Sequence, residues 1–422
     1  DGVKLFTGVL AGLDEENNIL LDTPKTAEAQ INLRHLQAMG ADIEAVPDEL
    51  LEDEYDAVVD ALFGTGFTGS IAADSPAGRL LTWANTCGPM LSIDVPSGMD
   101  AATGAVEGVC ARAIWTVTFH RPKPGLYLTE RRDCVGEITV APIGLPREFD
   151  PQGGLLVNEE GDLHTLLPDR PASAHKGDCG RTVIYAGSLG MAGAAMMAAR
   201  AALHAGAGLT TVICPRAAMP VLQQEVPNAT CLAAEDQPTP KCDALLMGCG
   251  IAENNDTYAD MMRLKATDAY QVWDAGALNL LAGHPQQLGA RAVITPHAGE
   301  AARLLGWEIP AVLSDKLGAA EALRAKYGCN VVLKSAVTVM LTADGQQCAL
   351  NAVGSPALAK GGSGDALAGI LASLLGQGLP MLDAMRAACL WLGLAGIAAG
   401  KRCGVRAALT GDVIDSLGAC EG

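Results

Sequence analysis

Asn351-Ala-Val-Gly-Ser-Pro-Ala-Leu-Ala-Lys-Gly-Gly-Ser-Gly-Asp365-Ala-Leu-Ala-Gly-Ile370 decides how the chain reads, because a glycine run ends at a carboxylate just where a helix begins. Beyond Asp365 the apolar residues Leu367, Ile370, Leu371, Leu374 and Leu375 fall at helical spacing. Gly361, Gly362, Ser363 and Gly364 therefore form the entry to a helix with one face already committed to a core. The first amides of a helix lack internal partners and sit at the positive end of its dipole, so this entry favours an anion. A carboxylate among such amides is a candidate general base beside a phosphoryl group. Equally, an aspartate there can simply cap the helix and complement its dipole.

The chain around this loop has 422 residues, enough for two or three domains. With 49% hydrophobic and 18% charged residues it reads as globular, and 4% aromatics beside 49 glycines suit close helix-on-sheet packing. The low aromatic content also argues against a base-stacking platform. A net charge of −19 excludes a broad nucleic-acid or anionic-membrane footprint, so any anionic ligand must be held locally. Thirteen scattered cysteines without a Cys-x-x-Cys read as reduced core residues of a cytoplasmic protein. The uncharged run from Ala366 to Leu382, broken by Gly376, Gln377, Gly378 and Pro380, does not read as a membrane span, and no signal peptide is visible.

In the first half, residues 2–10 read as a strand and 25–39 as a helix with Ala29, Leu33 and Leu36 on one side. Tyr55 to Ser70 is a strand running into a glycine-rich turn, and Met90 to Asp100 a second strand with polar groups at its carboxyl end, where open parallel sheets bind ligands. Asp60 and Asp94 lie in or at the end of apolar strands, where a buried carboxylate needs a donor or a cation. His120-Arg-Pro-Lys-Pro124-Gly reads as a rigid loop rather than a binding element.

Val59-Asp-Ala-Leu-Phe-Gly-Thr-Gly66 with Ser92-Ile-Asp-Val-Pro-Ser-Gly-Met-Asp100 resembles the epimerase domain of the bifunctional NAD(P)H-hydrate repair enzymes. The resemblance implies a Rossmann-like fold that interconverts the two epimers of hydrated NADH or NADPH. It implies Asp94 as the catalytic acid/base, Asp60 and Ser97 as ligands of potassium, and Gly64, Thr65, Gly66, Phe67, Thr68, Gly69 and Ser70 as the lining of the hydrate site. The family's upstream Asn-Asn-Gly-Gly-Asp loop, which completes that site, has no counterpart here, and the chain reads as beginning after it.

Leu145 to Gly154 mixes Pro, Gly and charge and sets a domain boundary, giving domains 1–146 and 151–422. Beyond it, Thr182 to Ala186 reads as a strand, followed by Gly187-Ser-Leu-Gly190-Met-Ala-Gly193-Ala and a helix from Ala194 to His204. Short apolar runs then recur at Leu209 to Cys214, Ala244 to Gly250, Gln271 to Asp274, Ala292 to His297 and Asn330 to Lys334, which argues a parallel sheet covered on both faces. Asp274, His297, Glu300 and Lys334 fall at carboxyl ends. Phosphoryl transfer needs donors for the equatorial oxygens, usually magnesium, and a proton acceptor. Gly361 to Gly364, Lys334, Glu300 through water to the metal, and Asp365 supply those parts. Lys176 and Arg181 read equally as solvated charges.

His175-Lys-Gly-Asp-Cys-Gly-Arg181, Gly187 to Ala194, Thr295-Pro-His-Ala-Gly-Glu300, Val332-Leu-Lys-Ser-Ala-Val-Thr338 and Lys360 to Asp365 resemble, in family order, the dehydratase domain of the same repair enzymes. That domain is ribokinase-like, so the whole is expected to be α/β: a Rossmann-like three-layer domain followed by a ribokinase-like three-layer domain with a mostly parallel sheet. The resemblance implies dehydration of the S hydrate at the expense of ADP or ATP, with magnesium. It places Lys334, Ser335, Ala336, Val337, Thr338, Gly361, Gly362, Ser363 and Gly364 on the nucleotide. It places Ala194, Gly250, His297 and Asp365 on the hydrate, with Asp365 catalytic. Lys334-Ser-Ala-Val-Thr departs from the family's Lys-Gly-Ala-Gly-Thr. The partners implied are hydrated NADH or NADPH and an adenine nucleotide, in a homo-oligomer. Rival readings are a ribokinase-like kinase of a vitamin precursor alcohol, and a non-catalytic nucleotide-binding protein with the first half as scaffold.

Overall fold

The structure, a computed structural model, describes residues 55–146, 148, 154–167 and 169–421, together with segments 5–6, 10–13, 19–21, 27–40 and 43–44. It divides into two compact units, Asp1–Asp150 and Pro151–Gly422. The side chains of Ala29, Leu33 and Leu36, part of the 2–10 stretch and part of the 145–154 junction lie outside the described residues.

The first unit contains β1 (Leu5–Phe6), β2 (Leu10–Leu13), β3 (Ile19–Leu21), α1 (Ala27–Ala38), β4 (Ile43–Glu44), β5 (Val58–Asp60), α2 (Pro76–Ala84), β6 (Met90–Ile93), β7 (Trp115–Phe119), α3 (Pro124–Leu128) and β8 (Glu137–Ala141). Strands β5-β6-β7-β8 form a four-stranded sheet with every neighbour parallel. The helix α2 starts where the sequence provides both signals: Ser75 accepts from the Gly78 amide, and Pro76 occupies the first turn, where a missing amide costs nothing. Its buried Ala77, Leu81 and Ala84 pack with Ile71, Met90 and Ala111.

The second unit runs β9 (Leu156–Val157), α4 (Leu163–Leu166), β10 (Arg181–Tyr185), α5 (Ala192–His204), β11 (Leu209–Cys214), α6 (Met219–Glu225), β12 (Thr230–Ala233), β13 (Ala244–Met247), α7 (Asn255–Lys265), β14 (Tyr270–Trp273), α8 (Gly276–Gly283), β15 (Ala292–Ile294), α9 (Ala298–Leu305), α10 (Ile309–Ser314), α11 (Lys316–Tyr327), β16 (Asn330–Leu333), β17 (Thr338–Leu341), β18 (Cys348–Asn351), α12 (Ser363–Gly376), α13 (Met381–Cys403) and α14 (Thr410–Asp415). One ten-stranded sheet has the order β12-β11-β10-β13-β14-β15-β16-β17-β18-β9. It is parallel from β12 to β16 and antiparallel across β16-β17 and β17-β18.

Successive strand residues face opposite sides of a sheet. Ile184, Leu246, Val272, Val293 and Val332 join a core with α5, α12, α13 and α14. Their neighbours Val183, Leu245, Ile294, Val331 and Leu333 are equally buried, so both faces are covered and the runs read as almost continuously apolar. The expected α/β architecture with a mostly parallel sheet is found. The alanine and glycine content serves the contact between α5 and α12: a Cβ on Gly369 would stand 2.2 Å from the Ala198 carbonyl oxygen. Among the described residues, Met381–Cys403 is the one helix long and apolar enough to cross a membrane, and 67% of its apolar window is buried inside this unit.

Candidate functional site

Parallel strands bring their carboxyl ends to one edge, and β13, β14, β15 and β16 deliver the polar residues of the second unit there. Asp274 follows β14 and is 2% exposed. Its Oδ1 accepts from Lys334 Nζ at 2.6 Å and from Thr295 Oγ1 at 2.7 Å. Lys334 Nζ also lies 4.0 Å from Glu300 Oε2. Its backbone pairs with the β15 exit, Lys334 N donating to Pro296 O at 2.8 Å. Burial disfavours the charge on Lys334, but the carboxylates of Asp274 and Glu300 outweigh it and hold its pKa above the usual value. The lysine is thus a fixed cation. The residue after Asp274, Ala275, has φ 47, an uncommon backbone region for alanine that marks a tightly constrained turn.

Asp365 sits in the first turn of α12 with its carboxyl pushed up to about 6. Burial is the main cause and the Asp274 carboxylate adds to it, while a hydrogen bond from Cys249 and the charge of Lys334 pull the other way. Cys249 follows β13 and is fully buried, and a donor atom from each of Cys249, Asp274 and Asp365 lies within 4.8 Å of the others. Burial and the two carboxylates push the Cys249 thiol well above its ordinary value, so it is a proton donor here. A protonated thiol beside a carboxylate already neutralised by lysine does not suit a hard cation, which takes oxygen ligands.

The helix entry has the local features that favour an anion. Gly362 has φ 96, which glycine adopts without strain, and no side chain caps α12. Among the described residues the Ser363 hydroxyl has no hydrogen-bond partner although it is buried, an orphan that a phosphate oxygen would satisfy. Thr410 Oγ1 ties the loop down by donating to Gly361 O at 2.9 Å. A Cβ on Gly364 would stand 3.3 Å from Lys334 Nζ, so the loop and the lysine are adjacent. Ser335 to Val337 turn between β16 and β17, with Ser335 Oγ donating to Val337 O at 2.5 Å. Neither Ser335 nor Val337 has positive φ, so the turn closes without the glycines usual in the family.

His297 caps α9. Its Nδ1 accepts from the amides of Gly299 at 3.0 Å and Glu300 at 3.3 Å, while Glu300 Oε2 accepts from His297 N at 2.9 Å. That role explains the residue locally and leaves the imidazole 60% exposed at the site edge. Gly250, with φ 67, packs against the Met191–Ala194 turn, and Ser188 Oγ donates to its carbonyl at 2.8 Å. Lys176 is exposed, and exposed Arg181 opens β10 at the opposite edge of the sheet.

In the first unit, Asp60 is buried at the end of β5 and closed by hydrogen bonds. Its Oδ1 accepts from Ser97 Oγ at 2.6 Å and Leu62 N at 3.4 Å, and its Oδ2 from Ser92 Oγ at 2.8 Å and Ser97 N at 2.9 Å. A carboxylate has about four acceptor directions, and these donors use them. Potassium on Asp60 and Ser97 would have to displace one, so this arrangement does not fit an ion there. Asp94 follows β6 with φ 70. Its Oδ1 accepts from Lys123 Nζ at 2.5 Å and Thr118 Oγ1 at 3.2 Å, and a Cβ on Gly64 would lie 3.8 Å from its Oδ2. Gly64, Thr65, Gly66, Thr68, Gly69 and Ser70 are exposed around half-buried Phe67, which stacks obliquely on Phe63.

The segment 120–125, read as a plain loop, instead supplies Lys123 to Asp94 and begins α3. Lys123 Nζ also donates to Thr118 Oγ1 and Phe119 O, so the ammonium is fully engaged. Sequence reasoning also missed Thr295, which carries no pattern of its own, and Cys249, which reads as one more core cysteine. Asp274 was legible only as a polar residue at a strand end, because its pairing with Lys334 spans 60 residues.

Residues 182–417 match the family model described as NAD(P)H-hydrate dehydratase, and residues 16–125 the one described as YjeF-related protein N-terminus. The bifunctional NAD(P)H-hydrate repair enzyme Nnr of Vibrio cholerae is 36% identical, covering 85% of this chain and 73% of the relative. Its counterpart in Escherichia coli is 35% identical over 94% of this chain and 77% of the relative. An ADP/ATP-dependent NAD(P)H-hydrate dehydratase from Bacillus subtilis, co-crystallised with ATP and magnesium, superposes with a TM-score of 0.57 at 25% identity, covering 63% of this chain and 97% of its own. The chain belongs to the family of bifunctional NAD(P)H-hydrate repair enzymes, joining a YjeF-related epimerase domain to a ribokinase-like dehydratase domain.

Proposed function

We propose that the second unit dehydrates the S epimer of hydrated NADH or NADPH at the expense of ADP, giving NAD(P)H, AMP and phosphate, and that the first unit interconverts the R and S epimers. The observation that carries the reading is half-buried Asp365, its carboxyl raised, in the first turn of an uncapped helix, beside the orphaned Ser363 hydroxyl and the fixed charge of Lys334. The hydrate's ring hydroxyl gives its proton to Asp365 as its oxygen takes the terminal phosphoryl of ADP. The amides of Gly361 to Gly364 and the Ser363 hydroxyl receive the phosphoryl oxygens, and Lys334 offsets their charge. Loss of that phosphate with a ring proton then restores the carbon–carbon double bond. The step is favourable because phosphate leaves far more readily than hydroxide. Magnesium, when bound, would neutralise charge on the nucleotide phosphates. Lys334 to Thr338 hold the nucleotide, and Ala194, Gly250 and His297 the hydrate.

In the first unit Asp94, held by Lys123 and Thr118 under the glycine loop 64–70, is the acid/base. Its companion Asp60–Ser97 is a closed hydrogen-bonded unit that fixes the loop, and no step passes through an ion there. The test supplies S hydrate with ADP or ATP and follows NADH absorbance together with released phosphate. One phosphate per NADH is expected. Nucleotide consumption that leaves a phosphorylated alcohol and no NADH would instead support the vitamin-precursor kinase reading.

A further inference from the structure

Buried Cys249 and Asp274 meet half-buried Asp365 where β13, β14 and α12 converge, and the mechanism above uses Asp274 and Asp365 but not Cys249. The thiol is not incidental core. Its residue is fully buried, and its sulfur lies within 4.8 Å of a carboxylate oxygen of both Asp274 and Asp365, close enough for the thiol to turn towards Asp365. The position of Cys249 is itself fixed from both sides. Gly187 N donates to its carbonyl at 2.8 Å, and its neighbours Gly248 and Gly250 take φ 128 and 67, which steer the turn inward. The charged groups facing Asp365 are Asp274 after β14, Glu300 on α9 and Lys334 after β16. Asp274 Oδ1 is occupied by Lys334 and Thr295, which leaves the Cys249 thiol to orient Asp365.

We propose that Cys249 is a positioning residue for the dehydration: its thiol donates to one oxygen of Asp365, favours the ionised carboxylate and leaves the other oxygen for the hydrate's hydroxyl. This rests on the reading of Asp365 as the base. A donor to the charged form of an acid lowers its pKa, so the thiol works against the burial and the Asp274 repulsion that raise it. Without the thiol, Asp365 stays protonated to higher pH and rotates more freely.

The experiment compares wild type with Cys249→Ala, Cys249→Val and Cys249→Ser. The ligand-free Asp365 carboxyl is titrated by carboxyl-carbon NMR, with Asp365→Asn identifying its signal, and the pH profile of S-hydrate dehydration is recorded in parallel. The alanine and valine variants are expected to titrate about one pH unit higher, consistent with loss of one weak hydrogen bond to a charged group. Their activity should fall on the acid side and approach wild type above pH ~8, where the carboxylate is ionised in either case. Serine, a stronger donor, is expected to move the titration below the wild-type position. An unchanged Asp365 titration in the alanine and valine variants overturns the proposal. Should neither fold, serine decides alone: a lower titration supports the contact and an unchanged one overturns it. Undiminished turnover by Asp365→Asn would overturn the base reading instead, whatever the titration shows.

Discussion

Asp365 is where chemistry and stability pull against each other. Its carboxyl is raised to about 6 by burial and by Asp274, so below that pH the residue is increasingly protonated and cannot accept a proton. The S-hydrate kcat/KM is expected to fall below an apparent pKa near 6, with the limb absent in any residual activity of Asp365→Asn. The same shift bears on folding. Because the folded-state value lies above the unfolded one, protonation favours the folded protein; that contribution is complete below about pH 4 and is lost as pH rises through about 6. At neutral pH the ionised carboxylate therefore costs on the order of 1–3 kcal/mol. Asp365→Asn is expected to lose ~10²–10⁴ in turnover while its thermal midpoint at pH 7.5 stays level or rises. A fallen midpoint would show that the carboxylate is structural. The Lys334–Asp274 pair has the opposite character: a buried carboxylate and a half-buried ammonium satisfy each other, and removing either would leave the other unpaired.

At the scale of elements, the turns that hold the site depend on glycines with different roles, which the sequence does not distinguish. In the run Gly187-Ser-Leu-Gly190-Met-Ala-Gly193, the first two have φ 83 and 84, whereas Gly193 lies in α5 with nothing within 4 Å of where a Cβ would be. Gly250 is more constrained: at φ 67, an added Cβ would come within 2.7 Å of Met191 O and 2.8 Å of Ala194 Cβ. Gly250→Ala is expected to cost ~1–3 kcal/mol in urea unfolding and to raise KM for the hydrate, since it pushes the Met191–Ala194 turn away. Gly193→Ala is expected to be neutral or slightly stabilising, because alanine is the better helix former. Equal effects from the two would contradict the assigned geometry. Strands, helices and the anion-seeking entry to α12 were legible because apolar period and glycine placement are local signals. The Asp94–Lys123 and Asp274–Lys334 contacts were not, because each depends on sheet order and on side chains meeting across separate turns. His297 shows the converse: a residue expected on the hydrate also caps a helix, and the cap alone accounts for its Thr-Pro-His-Ala-Gly-Glu surroundings.

Across the whole molecule, two units with unrelated sheet orders each gather a carboxylate and a lysine at strand carboxyl ends: Asp94 with Lys123, and Asp365 near Asp274 with Lys334. An acidic protein at −19 thus offers its anionic substrates local cationic and amide sites rather than a basic face. On the proposed reading the two carboxylates serve successive steps on one substrate, so they should fail separately. The decisive measurement supplies a mixture of R and S hydrates with ADP and follows NADH recovery together with each remaining epimer. Wild type is expected to convert both; Asp94→Asn should consume S and leave R, and Asp365→Asn should recover NADH at least ~10²-fold more slowly than wild type while R and S still interconvert. NADH recovered by Asp365→Asn at the wild-type rate, or R left untouched by wild type, would contradict the account.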